Sequence, residues 1–214
     1  MAQEMLSLIK KNSFYILLIF ILFSHCNNIS SNEFSYRDFL NNLSSFKSKF
    51  KQNLFDKEGN LIQKSYGFIN YKKSKKFKIE YIMPNKITII SDGDFITSYD
   101  HELSQAIISS LDKSNAFLVY LTDNEYIENN FNYKVTAKPE YLKIHFKHKE
   151  NAVTSGLNSF FLKIKDYNIL QISFINDIDQ EVVMDISNFE RNVSIKDSNF
   201  KFKIPNNADV LLNN

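Results

Sequence analysis

The sequence predicts a mainly β (α+β) fold: an unclosed antiparallel β-barrel of about eleven strands with a helical lid over a hydrophobic cavity. Three observations carry this expectation. Apolar residues recur at every second position through most of the chain, as in Leu170, Ile172 and Phe174 with Gln171 and Ser173 between them. Turn-forming clusters punctuate those runs: Asp56-Lys57-Glu58-Gly59-Asn60, Asp92-Gly93-Asp94, Asp166-Tyr167-Asn168 and Ile178-Asp179-Gln180. Helical spacing is confined to short stretches, one before the strands and two in the middle. Helices that short cannot tightly cover a large curved sheet, so the apolar face is expected to curl on itself with the helices as a lid.

The elements follow in order. Tyr36, Phe39, Leu40 and Leu43 recur at spacings of three and four, which predicts a helix from Phe34 to about Ser45, with Ser35 as N-cap. From Phe46 the period changes to two, with Phe46, Ser48, Phe50 and Gln52 on one face. Gly59 turns this strand into a hairpin with Leu61–Tyr71. Ile69, Tyr71 and Lys73 share a face, and Lys72 to Lys78 reads as a basic hairpin tip. The next strand, Phe77–Met83, sets Phe77, Ile79 and Tyr81 on one side, and Pro84 stops it. Lys86–Ser91 and Phe95–Tyr99 pair around the Asp-Gly turn.

The middle of the chain reads as two helices, Asp100–Ser110 and Asp112–Leu121, the second with Phe117, Leu118 and Leu121 as its apolar stripe. Thr122–Asn130 reads as a polar loop. Strands are expected at Asn132–Ala137, Tyr141–Lys147, Phe160–Lys165, Ile169–Ile175, Glu181–Ile186 and Asn199–Ile204, the last ended by Pro205.

Composition narrows the class. The 214 residues carry a formal charge of +2, too balanced for a nucleic-acid footprint. Gly (4) and Pro (3) are too scarce for a collagen-like or disordered chain. No Gly-x-Ser-x-Gly elbow is present, and His101, His145 and His148 lack metal-ligand spacing, so neither an enzyme nor a metal or cofactor protein is expected. Asp92 with Asp94, and Asp177 with Asp179, are turn chemistry before they are acid–base chemistry.

Residues 1–26 read as an export signal: Lys10 and Lys11, then the apolar run Phe14–Phe23, shorter than the ~20 residues a spanning helix needs. Residues 27–214 form one domain. The single cysteine, Cys26, leaves two outcomes. Cleavage after it releases a soluble exported protein, and its acylation anchors one to a membrane.

The strand faces define candidate site residues. Ile69, Tyr71, Phe77, Ile79 and Tyr81, with Leu118 and Leu121 from the lid, would line the interior. A filled core and an acyl-chain cavity both satisfy this pattern, the filled core being the commoner outcome of apolar stripes. Lys73 on the same face could meet a lid carbonyl or a ligand headgroup, or snorkel to water from the strand end.

From Phe77 to Gln105 the order of features resembles the LolA family of periplasmic lipoprotein carriers. The matching features are an aromatic-bearing strand (Phe77), Pro84, Ser91-Asp92-Gly93, Tyr99-Asp100 and Gln105, which the family places on a helix. Gly59, Gly67, Phe117-Leu118 and Phe200 to Pro205 also fall into place. The resemblance implies a monomer that receives triacylated lipoproteins from an inner-membrane LolCDE-type ABC transporter, crosses the periplasm, and delivers them to the outer membrane, to a LolB-type receptor where one exists. It implies no enzymatic activity and no cofactor. Lys73-Ser74 stands where the family has an Arg-Pro implicated in lid closure, and Ile79 where it has a strand Trp; Lys lacks the planar fork of Arg. A LolB-like receptor anchored through Cys26 is the nearest rival. A periplasmic regulatory domain on the same fold is a second, which usually carries a further domain that this chain leaves no room for.

Overall fold

The computed structural model describes residues 34–111, 123–150, 159–175 and 178–213. The expected export signal and the expected Asp112–Leu121 helix, with Leu118 and Leu121, lie outside the described residues. Helix α1 (Tyr36–Asn41) opens the domain, and helix α2 (Asn124–Asn130) interrupts the strands. The first half contributes β1 (Ser45–Phe55), β2 (Leu61–Lys72), β3 (Lys76–Met83), β4 (Ile87–Ser91), β5 (Phe95–Asp100) and β6 (Gln105–Ser110). After α2 come β7 (Phe131–Ala137), β8 (Leu142–His148), β9 (Ser159–Lys165), β10 (Asn168–Ile175), β11 (Glu181–Arg191) and β12 (Asp209–Asn213).

All twelve strands belong to one sheet, in the order β12-β6-β5-β4-β3-β2-β1-β11-β10-β9-β8-β7. Successive hairpins build outward from β1 on one side and back toward it from β7 on the other. The β1–β11 pairing joins the two halves, with Phe50 opposite Ile186 and Gln52 opposite Met184. The terminal strands β12 and β7 are not neighbours, so the sheet is unclosed, as the alternation predicts.

Ile90, Tyr99 and Ala106 are buried on one face of this sheet, and the other face holds most of the core. Because paired residues point to the same side, the β1–β2–β3 register fixes that face: Phe46, Tyr71 and Phe77 in one row, Ser48, Ile69 and Ile79 in the next, then Phe50, Gly67 and Tyr81. Across the sheet the same face carries Phe160, Leu162, Ile144 and Phe146, all fully buried. Ring packing welds it together, with Phe46 stacked on Tyr71 at 5.2 Å and on Phe189 at 4.9 Å, and Phe146 stacked on Phe160 at 4.2 Å.

Helix α1 forms as its spacing predicts. The Ser35 hydroxyl accepts from the Asp38 amide at 3.2 Å, and Tyr36, Phe39 and Leu40 are its buried face. Tyr36 reaches Phe146 at 4.8 Å and Tyr133 at 5.9 Å, which seats the helix on β7 and β8. Arg37 donates to Glu128 of α2 at 2.6 Å, tying the two helices at their exposed ends.

Three segments differ from the sequence reading. The expected helix Asp100–Ser110 is a turn followed by strand β6, so Gln105 opens a strand. Asp100 Oδ1 accepts from the amides of Glu102 (2.8 Å) and Leu103 (3.0 Å), the same bonds a helix cap makes, but here they close an Asx turn. The expected loop Thr122–Asn130 contains α2, capped by Asp123, whose carboxylate accepts from the Tyr126 amide at 3.0 Å. The expected strand Asn199–Ile204 makes no ladder. Asp197–Phe200 is one turn of 3-10 helix, and Phe202 lies across the convex face of β5 with its ring 5.2 Å from Tyr99. The chain then adds β12 parallel to β6, the one parallel pair among the described strands.

The 3-10 turn is fastened by charge. Lys72 and Lys76, the residues that flank the β2–β3 turn, each donate to one oxygen of Asp197, and Lys72 also donates to the Ile195 carbonyl at 3.1 Å. These two hydrogen bonds from lysine hold the Asp197 carboxyl down at about 2. A carboxylate depressed in the folded state contributes stability that is present above its ordinary value near 3.9 and is lost as pH falls toward 2. The fastening of Asp197–Phe200 is therefore expected to release between about pH 4 and 2, and Asp197→Asn should flatten that acid limb. Proteolysis of the C-terminal segment as a function of pH measures it, and an unchanged acid profile in Asp197→Asn would contradict it.

Candidate functional site

The concave face is divided. Its inner part is close-packed: Ile69, Tyr71 and Phe77 are almost entirely buried. Toward the β3–β4 turn the packing loosens, and Ile79, Tyr81, Ile87 and Ile89 are only half-buried. A cavity of about 400 Å3 opens there, with β1, β2, β3, β4 and β5 as its walls. The sequence-predicted residues are thus brought to one face in two roles. Ile69, Tyr71 and Phe77 are the packed floor, Tyr81 lines the cavity, and Ile79 stands between them.

The cavity wall has an apolar side and a polar side. Met83, Pro84, Ile87 and Ile89 supply the apolar surface, from the end of β3 and from β4. Gln52, Gln63, Ser65, Asn85 and Ser98 supply neutral polar groups, and no lining residue carries a charge. Tyr81 joins the two sides. Its ring packs edge-on to Phe50 at 5.1 Å, and its hydroxyl donates to Gln52 Oε1 at 3.0 Å. Burial pushes the Tyr81 phenol up to about 12, so it stays a neutral donor. Gln63 Nε2 donates to Ser65 Oγ at 3.0 Å, which satisfies another polar pair at the wall. Such a surface offers an apolar ligand both contact area and neutral hydrogen-bonding groups.

Sequence reasoning missed Ile87 and Ile89. Their signal was present in the alternation of Ile87 and Ile89 along β4, which the short turn at Pro84-Asn85-Lys86 sets in register with β3, pairing Ile79 with Ile89 and Tyr81 with Ile87. Gln52, already on the face of Phe46 and Phe50 in the sequence, reaches the wall together with Ser65 and Ser98, which look like ordinary solvent-face residues in the sequence.

Lys73 stands exposed in the β2–β3 turn, where its amide donates to the Ser44 carbonyl at 2.8 Å. The lysine of this turn that reaches toward the helices is its neighbour Lys75, which pairs with Asp123, the cap of α2, at 3.0 Å. The left-handed backbone of Ser74 and Lys75 turns successive side chains in different directions.

The histidines are scattered. The ring of His101 shares a hydrogen bond with Thr88 at 2.9 Å, and that of His145 stacks on Phe161 at 4.2 Å. Among the described residues no three His, Cys, Asp or Glu side chains gather as metal ligands, and no helix is long and apolar enough to cross a membrane.

Comparison with known proteins agrees with this architecture. The family described as "Outer membrane lipoprotein carrier protein LolA" matches residues 41–203. An outer-membrane lipoprotein carrier protein of Nitrosospira multiformis is 28% identical over 207 residues, covering 92% of this chain and 96% of that protein. One from Francisella tularensis is 29% identical over 176 residues, covering 81% and 84%. A crystal structure of an uncharacterized conserved protein from Thermus thermophilus superposes with a TM-score of 0.54 at 14% identity, covering 83% of this chain and 97% of that one.

Proposed function

Because this chain belongs to the LolA family of outer membrane lipoprotein carrier proteins, we propose that it binds the acyl chains of lipoproteins in the periplasm and carries them to the outer membrane. The observation that supports this most directly is the uncharged cavity on the concave face of an unclosed sheet, bounded by Tyr81, Met83, Ile87 and Ile89. Each methylene moved from water into such a wall contributes about 0.8 kcal/mol, so acyl chains bind without a charged anchor. A cavity of about 400 Å3 lies near the small end of the range for compact ligands. Three acyl chains need more room, so loading requires the packed floor at Ile69, Tyr71 and Phe77 to give way. That rearrangement takes back part of the burial gain and leaves an affinity low enough for hand-off. The carrier acts by binding and release, with no chemical step.

In this reading the protein receives triacylated cargo from an inner-membrane LolCDE-type transporter and yields it to a LolB-type receptor. Incubating the purified protein with spheroplasts of its host tests the carrier role. The expected result is release of lipoproteins as a soluble one-to-one complex, and release no greater than with an unrelated periplasmic protein would overturn it. Mass spectrometry of the mature N-terminus separates the carrier from an anchored receptor: a chain beginning after Cys26 fits the carrier, and an acylated Cys26 fits the receptor.

A further inference from the structure

The convex face of the sheet carries a second surface that the cavity does not explain. On β1 the outward positions are Lys47, Lys49 and Lys51, all exposed, standing about 7 Å apart along the strand. On β2 the neighbouring outward positions include Phe68, Tyr66 and Lys64: Lys47 pairs with Asn70, Lys49 with Phe68, Lys51 with Tyr66, and Asn53 with Lys64. Phe68 and Tyr66 are 39% and 37% exposed, on a face where a strand of a soluble sheet ordinarily shows polar side chains. The result is a two-strand field of four ammonium groups interleaved with two aromatic rings. No ion pair among the described residues involves Lys47, Lys49, Lys51 or Lys64. The acidic neighbours lie at the border of the field. Asp185 and Glu190 stand opposite Lys51 and Lys47 on β11, with Asp185 already accepting from Gln171 at 2.6 Å, and Glu80 is paired with Lys78 at 2.8 Å.

We propose that this face docks on the surface of an anionic lipid bilayer. Charge complementarity selects the occupant. The cations are all lysines, point charges without the fork that fits a particular carboxylate, and they are spread over a face rather than focused in a pocket. Such a field suits a diffuse anionic surface, and the exposed rings suit the interfacial layer of headgroups. The concave cavity and this face lie on opposite sides of the sheet, so the docking reading stands whether or not the cavity carries lipoproteins.

Co-sedimentation with vesicles of phosphatidylcholine, with and without about one-third phosphatidylglycerol, tests it, using the protein as the cell processes it. Binding is expected to the anionic vesicles only, and to fall steeply as salt is raised. The variant Lys47→Gln/Lys49→Gln/Lys51→Gln should bind more weakly by roughly fivefold for each lysine removed. Phe68→Ser should weaken binding without changing its salt dependence. Circular dichroism checks the fold, and Lys49→Gln alone serves if the triple variant does not fold. Failure of the wild-type protein to bind anionic vesicles at low salt overturns the proposal and points to an acidic protein as the partner. Equal binding by wild type and a folded lysine variant overturns it as well.

Discussion

Replacing Ile89 by Glu is expected to leave the protein folded and to abolish cargo binding. Ile89 sits in the middle of the cavity wall, paired with Ile79 on β3 and Ser98 on β5. It is half-buried, so a carboxylate at that position in the empty protein still reaches water through the open cavity. An acyl chain laid against the same position removes that water. The variant must then either desolvate a charge or take up a proton, and both cost several kcal/mol. A loss of affinity of at least about a hundredfold follows, equivalent to roughly 3 kcal/mol. The sign of the pH effect is fixed by the same argument: lowering pH toward 5 protonates the carboxyl in the loaded state and recovers part of the binding. Ile89→Met, which conserves volume and apolarity, should carry lipoproteins nearly as well as the wild type. Soluble lipoprotein released from spheroplasts is the measurement. Normal release by a natively folded Ile89→Glu protein would move the cargo site away from this cavity.

The residues that make the wall differ in how visible they were. Tyr81 was legible because the alternation of β3 is a strong local signal, and the sheet honours it. Gln52 was placed on the face of Phe46 and Phe50 by the alternation of β1, whereas Ser65 and Ser98 were not legible, because a polar side chain on the concave face is apparent only when its strand neighbours are known. The three misread segments failed for separate physical reasons. Asp100 makes the bonds of a helix cap and of an Asx turn equally well, so its chemistry could not distinguish β6 from a helix. Helix α2 is polar and rich in Asn, with Ile127 fully buried, so the capping by Asp123 and tertiary packing outweigh poor helix propensity. Phe202 and Ile204 alternate because the chain after the 3-10 turn is extended, yet it crosses the outside of the sheet without a ladder partner. Period two reports an extended chain with one covered side, and sheet pairing is only one way to cover it.

Gly67→Ala is expected to destabilise the whole sheet, and the reason links the fold to the cavity. Gly67 lies on the concave side of β2 between Phe50 of β1 and Tyr81 of β3, where the β2–β3 register shifts by one residue. A Cβ at this position would stand 2.1 Å from the carbonyl oxygen of Glu80 and 2.7 Å from two ring atoms of Phe50. The ring could tilt away, but the carbonyl belongs to the backbone of the neighbouring strand and cannot. Relief therefore requires β2 and β3 to separate locally, in the middle of the sheet, at a cost of about 3 kcal/mol or more. For a chain of this size that is a fall in Tm on the order of 10 °C. Phe50→Leu in the same protein removes the ring contact and leaves the carbonyl contact, so it should restore only a minor part of the loss. The effect also reaches function. The Phe50 ring covers the glycine and packs edge-on against Tyr81, whose hydroxyl is held by Gln52 at the cavity wall. Pushing Phe50 aside displaces Tyr81, and the surviving folded fraction should bind cargo less well than its population alone accounts for. Thermal unfolding followed by circular dichroism, with lipoprotein release normalised to folded protein, reads both effects. A Gly67→Ala protein within about 0.5 kcal/mol of wild type would show that β2 and β3 do not approach this closely.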